Sequence, residues 1–193
     1  MKQLDWYLES YINEPWAYFD KAFSDEECDR IIEKFKNNVG KARIQNNSEL
    51  TKTRDSNVYF IDSADEENNW LFRRLAEVTV RMNDQFFNFD IERIEAVQFT
   101  EYDASYKGFY KSHVDTAFET STFRKLSFSL QLTDSDEYSG GDLILHTGHN
   151  PDTASRTKGT MNVFPSFLLH EVTPVTNGIR YSLVGWVLGK RFK

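Results

Sequence analysis

The sequence predicts an α+β fold that is mainly β, with helices first and a rolled or sandwiched antiparallel sheet after them. Three observations carry that reading. Two segments of the first half pair a helix-start signal with apolar residues at helical intervals. After Phe87 the apolar residues shift to alternation, and the stretches between alternating runs hold the Gly, Asp, Ser, Asn and Pro expected of turns.

In chain order, Ser24 and Glu27 have capping-box spacing, and Cys28, Ile31, Ile32 and Phe35 follow at helical intervals. Gly40 is the expected stop, soon after Asn37 and Asn38. Residues 57–62 read as a short strand. A second helix is expected to start near Ser63, with Glu66 three residues on and Leu71, Leu75, Val78 and Met82 along one buried face. From Glu95 to Tyr102 the residues alternate, Val97 and Phe99 pointing one way and Gln98, Thr100 and Tyr102 the other. Further strands are expected at 109–115, 124–133, 142–146, 160–164, 168–172 and 180–187. Within them Ser127, Ser129 and Gln131 alternate with Leu126, Phe128, Leu130 and Leu132. That polar face either lines a pocket or meets solvent. Gly140-Gly141 suits a tight turn or bulge.

A chain of 193 residues fits a single domain, with helical support over about 1–90 and a β core over about 91–193. Hydrophobic residues make up 39% and aromatics 15%, enough for a substantial core. Lys and Arg number 23 against 30 Asp and Glu, a net charge of −7, which argues against a general affinity for nucleic acid or anionic membranes. Cys28 is the only cysteine, so no intrachain disulfide or thiolate metal cluster can form. Residues 1–15 carry Asp5, Glu9 and Glu14 and no apolar h-region, and no stretch approaches the roughly 18 apolar residues of a membrane span. A cytoplasmic protein without a membrane partner is expected. No pattern speaks to oligomeric state.

The chemistry begins at His113-Val114-Asp115. Residues two apart on a strand share a face, so an imidazole and a carboxylate there can grip one ion. His170, on another expected strand, can close the set. Two His and one carboxylate on one side of an octahedral Fe(II) leave the opposite side open for other ligands. Alone, the tripeptide is a weak signal. Arg180 lies ten residues past His170, with Ser182, Val184 and Trp186 in phase with it. A guanidinium pairs bidentately with a carboxylate, and the hydroxyl beside it can add a hydrogen bond. 2-Oxoglutarate needs such a clamp for its distal carboxylate, while its other end chelates iron.

Several further motifs stand in a fixed order around these residues. They are Gln98-Phe99-Thr100-Glu101-Tyr102, Tyr110-Lys111-Ser112-His113-Val114-Asp115, Gly140-Gly141-Asp142-Leu143, Lys158-Gly159, Phe164-Pro165-Ser166, His170-Glu171-Val172-Thr173-Pro174-Val175 and Gly178-Ile179-Arg180-Tyr181-Ser182-Leu183. Together they resemble the prolyl 4-hydroxylase superfamily of Fe(II)/2-oxoglutarate dioxygenases, most of all its PKHD-type branch. The resemblance runs from about Ala96 to Trp186, with a looser likeness at Phe19 to Phe35. It implies a double-stranded β-helix (jelly-roll, cupin-like) core with supporting N-terminal helices. It further implies that His113, Asp115 and His170 bind iron, that Arg180 anchors 2-oxoglutarate, that Tyr102 donates to it and that Ser182 assists. O2 is then the second cosubstrate, ascorbate a candidate reductant, and the substrate a C–H bond, with a prolyl residue of a peptide or protein leading and a free amino acid or other small molecule following. Succinate and CO2 are the expected co-products.

The departures narrow this. Collagen-type enzymes usually carry Lys where Arg180 stands, DNA-repair dioxygenases carry a second Arg where Trp186 stands, and the sequence stops short of the C-terminal extension of many PKHD-type proteins. Competing readings are a non-catalytic metal- and 2-oxoglutarate-binding module and a cupin-like isomerase or hydrolase, which would leave Arg180 without a task. His146 and His149 form a weaker candidate metal pair. Lys107, Lys111, Arg124 and Lys125 could draw an acidic substrate. The loops at 103–108, 116–123 and 151–158 are candidate lids. Tyr110, three before His113, reaches the site only if its strand bends.

Overall fold

Ser24 opens the first helix, α1 (Asp25–Phe35), as its spacing requires: its hydroxyl accepts from the Glu27 amide while Glu27 accepts from the Ser24 amide. Asp25, Glu26 and Glu27 also set negative charge at the positive end of the helix dipole. The structure is a computed structural model that describes residues 14–42, 53–116 and 123–190. The expectations about residues 1–13 lie outside the described residues. Helix α1 ends at Phe35, earlier than Gly40 suggests, because the chain turns through Asn38, whose amide bonds the Phe35 carbonyl. The second helix, α2 (Asn69–Met82), begins later than Ser63. Asp62 and Asp65 accept backbone amides and fold the preceding residues into turns, so a 3-10 segment at Glu66–Asn68 precedes the helix.

Fourteen strands are described. They are β1 (Ala17–Phe19), β2 (Gly40–Lys41), β3 (Arg54–Asp55), β4 (Asn57–Phe60), β5 (Ile91–Asp103), β6 (Phe109–His113), β7 (Phe123–Gln131), β8 (Ser139–Gly140), β9 (Leu143–Leu145), β10 (Asp152–Thr153), β11 (Met161–Pro165), β12 (His170–Val172), β13 (Val175–Asn177) and β14 (Ile179–Gly189). The larger sheet runs β1-β11-β7-β14-β5-β4-β2 and the smaller β10-β9-β12-β6-β3, with β13-β8 as a separate ribbon. All pairings are antiparallel, and the arrangement is the jelly roll that the motifs imply. Every expected strand is present, most with shorter or shifted bounds. The added ones are two or three residues long and too short for periodicity to reveal.

The alternation of β5 and β7 sorts the molecule into layers. Val97, Phe99, Leu126, Phe128 and Leu130 pack against Cys28, Ile31, Leu71 and Leu75 of the helices. Each such side chain, fully buried, contributes about 1.5–3 kcal/mol. Gly185 lies opposite Phe128 on β14, where a Cβ would come within 2.2 Å of the ring, so only glycine lets that phenyl lie flat across the strand. The opposite face carries Gln98, Ser127, Ser129, Gln131, Arg180 and Ser182, all buried. It does not meet solvent: with the smaller sheet it encloses the site.

Candidate active site

Strands β6 and β12 place His113 directly opposite His170, with ring centroids 4.2 Å apart. The expected strand 109–115 stops at His113, because the amides of Asp115 and Thr116 both turn to the Ser166 carbonyl. That turn brings the Asp115 carboxylate back to the imidazoles, 3.7 Å from His113 Nε2 and 3.5 Å from His170 Nε2. One ligand atom from each residue lies within 4.8 Å of the others, the single grouping of its kind among the described residues. His146 and His149 form no such group. His146 instead sits 3.5 Å from Glu171.

The ligand atoms are oriented from behind. His113 Nδ1 lies 2.8 Å from the Lys111 carbonyl and His170 Nδ1 2.8 Å from the Leu168 carbonyl. A carbonyl only accepts, so each Nδ1 carries the proton and each Nε2 offers its lone pair. Ser127 donates to Asp115 Oδ2 at 2.7 Å and meets Ser166 at 3.0 Å. Burial, and then repulsion from His170, push the His113 imidazole down to about 4, so it is neutral and ready to ligate at neutral pH. Two imidazoles that turn their Nε2 atoms inward and one carboxylate fit Fe(II), with one side of the cluster facing the cavity.

Tyr110 does reach the site. His170 pairs with His113 but Val172 pairs with Tyr110, so β6 spends one residue more than β12 over this stretch. The bulge brings Tyr110 and His113 to one face, where their rings stack at 3.6 Å with 16° between planes.

Opposite the cluster of His113, Asp115 and His170 stands Arg180, only 3% exposed. Its Nε donates to Gln131 Oε1 at 3.1 Å and its Nη1 reaches Ser182 Oγ at 3.5 Å. The Tyr102 ring lies 5.6 Å from its guanidinium carbon. Among the described residues it forms no ion pair. A buried guanidinium without a counter-ion costs several kcal/mol, which an anionic ligand would offset. Gly141, at φ +65°, leaves the room for it, since a Cβ there would lie 3.1 Å from Arg180 Cδ. Tyr102, Tyr110, Phe164 and Trp186 wall the cavity between the two ends. Trp186 Nε1 is buried with no hydrogen-bond partner among the described residues, and the Arg124 guanidinium lies 4.2 Å from its ring.

All six residues singled out from the sequence thus gather around one cavity, Ser182 from behind Arg180 and the other five lining it. Arg54 and Gln98 also line it and escape sequence reasoning. Gln98 shows in the alternation and in the first motif without a role of its own, and Arg54 sits on a two-residue strand without periodicity, its guanidinium 4.7 Å from the Tyr110 ring. The four suggested cations do not share one environment: Lys107 and Lys111 are exposed, Arg124 pairs with Glu95 at 2.5 Å and Lys125 is buried. Of the candidate lids, 103–108 contains a tight 3-10 turn, Ala104–Tyr106, whereas 117–122 lies outside the described residues.

Fold and site together define a class, jelly-roll proteins that gather two histidines and a carboxylate at one end of a buried pocket. Residues 97–188 match the family model of the 2OG-Fe(II) oxygenase superfamily. A PKHD-type hydroxylase of Prochlorococcus marinus is 36% identical over 97 residues, half of this chain and 42% of that protein. One from Synechococcus is 43% identical over 79 residues, 40% of this chain and 36% of the relative. The chain therefore spans less than half the length of these relatives. Among solved structures, a Pseudomonas putida prolyl-4-hydroxylase superposes with a TM-score of 0.74 at 20% identity, over 92% of this chain and 94% of that one. A Trichoplax adhaerens prolyl hydroxylase in complex with a hypoxia inducible factor peptide gives 0.75 at 15% identity, covering 91% and 84%. Over residues 97–188 the chain thus matches the 2OG-Fe(II) oxygenase superfamily and is similar to PKHD-type hydroxylases, and its fold is the one seen in prolyl hydroxylases. Among the described residues no helix is long and apolar enough to cross a membrane.

Proposed function

We propose that this protein is an Fe(II)- and 2-oxoglutarate-dependent dioxygenase that hydroxylates a C–H bond, with a prolyl residue of a peptide or protein as the leading substrate. The observation that carries the reading is the pairing of two features in one pocket: a three-donor cluster suited to a metal at one end and, at the other, the buried Arg180, which forms no ion pair among the described residues. A 2-oxo dicarboxylic acid fits both ends, and no simple hydrolase or isomerase site needs the second.

His113 and His170 would hold the metal through Nε2 and Asp115 through its carboxylate, with Ser127 fixing the carboxylate oxygen it donates to. When bound, Fe(II) with 2-oxoglutarate and O2 supplies the oxidising power for the insertion, releasing succinate and CO2. Arg180 pairs with the distal carboxylate, backed by Ser182, and the Tyr102 hydroxyl donates to the cosubstrate. Tyr110, Phe164 and Trp186 exclude water and shape the space for the substrate. Ascorbate serves as an optional reductant. The peptide substrate is supported by the Trichoplax relative, whose structure holds a peptide. The loops at 103–108 and 151–158 are the proposed lids.

Succinate release by iron-loaded protein supplied with 2-oxoglutarate and O2 tests the assignment. Asp115→Ala and His170→Ala are each expected to lower it to background. Undiminished succinate from Asp115→Ala would remove the metal assignment.

A further inference from the structure

We propose that Gln131 is a specificity-determining residue: by holding Arg180 with a neutral amide instead of a carboxylate, it keeps the guanidinium charge available and so selects 2-oxo acids that carry a second carboxylate. The inference rests on the 2-oxoglutarate reading above and adds to it the residue that sets the selectivity.

Gln131 ends β7, opposite Ser182 of β14, and is 2% exposed. Its orientation is fixed by what surrounds it. The Thr133 carbonyl, 3.1 Å from Nε2, can only accept, and Arg180 Nε, 3.1 Å from Oε1, can only donate. Reversing the amide would break both contacts. Nε2 also donates to the Tyr138 hydroxyl at 3.1 Å.

That hydroxyl belongs to a well-held residue. Arg156 donates to the Tyr138 carbonyl at 3.1 Å, lies 4.4 Å from its ring and is itself paired with Asp142 at 2.7 Å. Thr133 is tied as well, its hydroxyl accepting from the Tyr181 amide at 2.7 Å. The amide oxygen is therefore a stationary acceptor.

It engages Arg180 at Nε, the nitrogen nearest the stem. Beyond it, among the described residues, Nη1 has only the long Ser182 contact. The guanidinium plane is set while its terminal nitrogens stay available for a bidentate partner. A glutamate at position 131 would have nearly the same shape and would place a negative charge against the same Nε. Arg180 would then be neutralised internally, and a second carboxylate would be repelled.

The test compares two probes, 2-oxoglutarate and 2-oxobutyrate, titrated calorimetrically into Mn(II)-loaded protein. 2-Oxobutyrate keeps the chelating end and lacks the distal carboxylate. Wild-type protein is expected to bind 2-oxoglutarate at least tenfold more tightly. In Gln131→Glu that preference is expected to shrink at least tenfold, through weaker 2-oxoglutarate binding alone, with 2-oxobutyrate affinity changed less than threefold. Tyr138→Phe, which removes only the backing hydroxyl, is expected to weaken 2-oxoglutarate two- to fivefold and leave 2-oxobutyrate unchanged; it provides the answer if the glutamate variant does not fold. A parallel loss of both probes in the folded variants, or a preference that survives Gln131→Glu, overturns the role of Gln131 while leaving the cosubstrate reading intact. A wild-type protein that binds both probes equally, or neither, overturns the cosubstrate reading and this inference with it.

Discussion

At one end of the pocket two imidazoles are held by the carbonyls of Lys111 and Leu168 and a carboxylate by the Ser127 hydroxyl; at the other a guanidinium is held by the Gln131 amide. The first end must shed protons to work, and its orienting groups for histidine belong to the backbone. The second end is a guanidinium, and its orienting groups are side chains. One end is thus supported by two backbone carbonyls and one side chain, and the other by side chains alone.

The sharpest way to break this contrast is Arg180→Ala. Losing a bidentate charge-assisted pair, about 3 kcal/mol, is expected to weaken 2-oxoglutarate binding about a hundredfold and leave Mn(II) affinity unchanged. Calorimetry with each ligand separates the two, and a matching loss of Mn(II) would show that the ends are not independent. A smaller effect is expected from Ser127→Ala, which strips the donor from Asp115 Oδ2. Removing such an outer partner lowers metal affinity by about tenfold. An unchanged Mn(II) titration would mean that the hydroxyl only fills space.

The gentlest effect is a slope. The folded protein holds His113 at about 4 against an ordinary 6.5, so between those values the unfolded chain binds a proton that the folded chain refuses. The stability of metal-free protein should therefore fall as pH drops from about 6.5 to 4, by at most about 1.4 kcal/mol per unit, and level off below. Thermal melts in chelator would read it. The slope should vanish in His113→Ala, and its persistence there would assign it to another group.

What the sequence made legible was whatever depends on near neighbours. Ser24 with Glu27, and the opposed faces of Val97 and Phe99 against Gln98 and Tyr102, are local patterns, and both have the sense expected from them. That the six candidate site residues would gather in one place was legible through motif and order. What stayed hidden depends on pairings far apart in the chain. Tyr110 faces His113 only because β6 bulges against β12, and Arg54 enters only because a two-residue strand joins the sheet edge beside Tyr110. The turn at Asp115 is set by Ser166, and the setting of Arg180 by Gln131, which lies across a strand pair. Ser127, Ser129 and Gln131 did signal a polar face, but alternation alone does not tell a pocket from open water.

The carbonyl contacts behind the two imidazoles carry one more consequence. Each histidine is pinned to the backbone two residues before it, so neither ring can swing to compensate for a displaced backbone. A slip of β12 by a single residue would turn His170 to the far side of its sheet. Metal affinity is therefore a gauge of alignment: a chain that captures the ion has already counted its strands correctly, and a trapped, misaligned chain would reveal itself by failing to load.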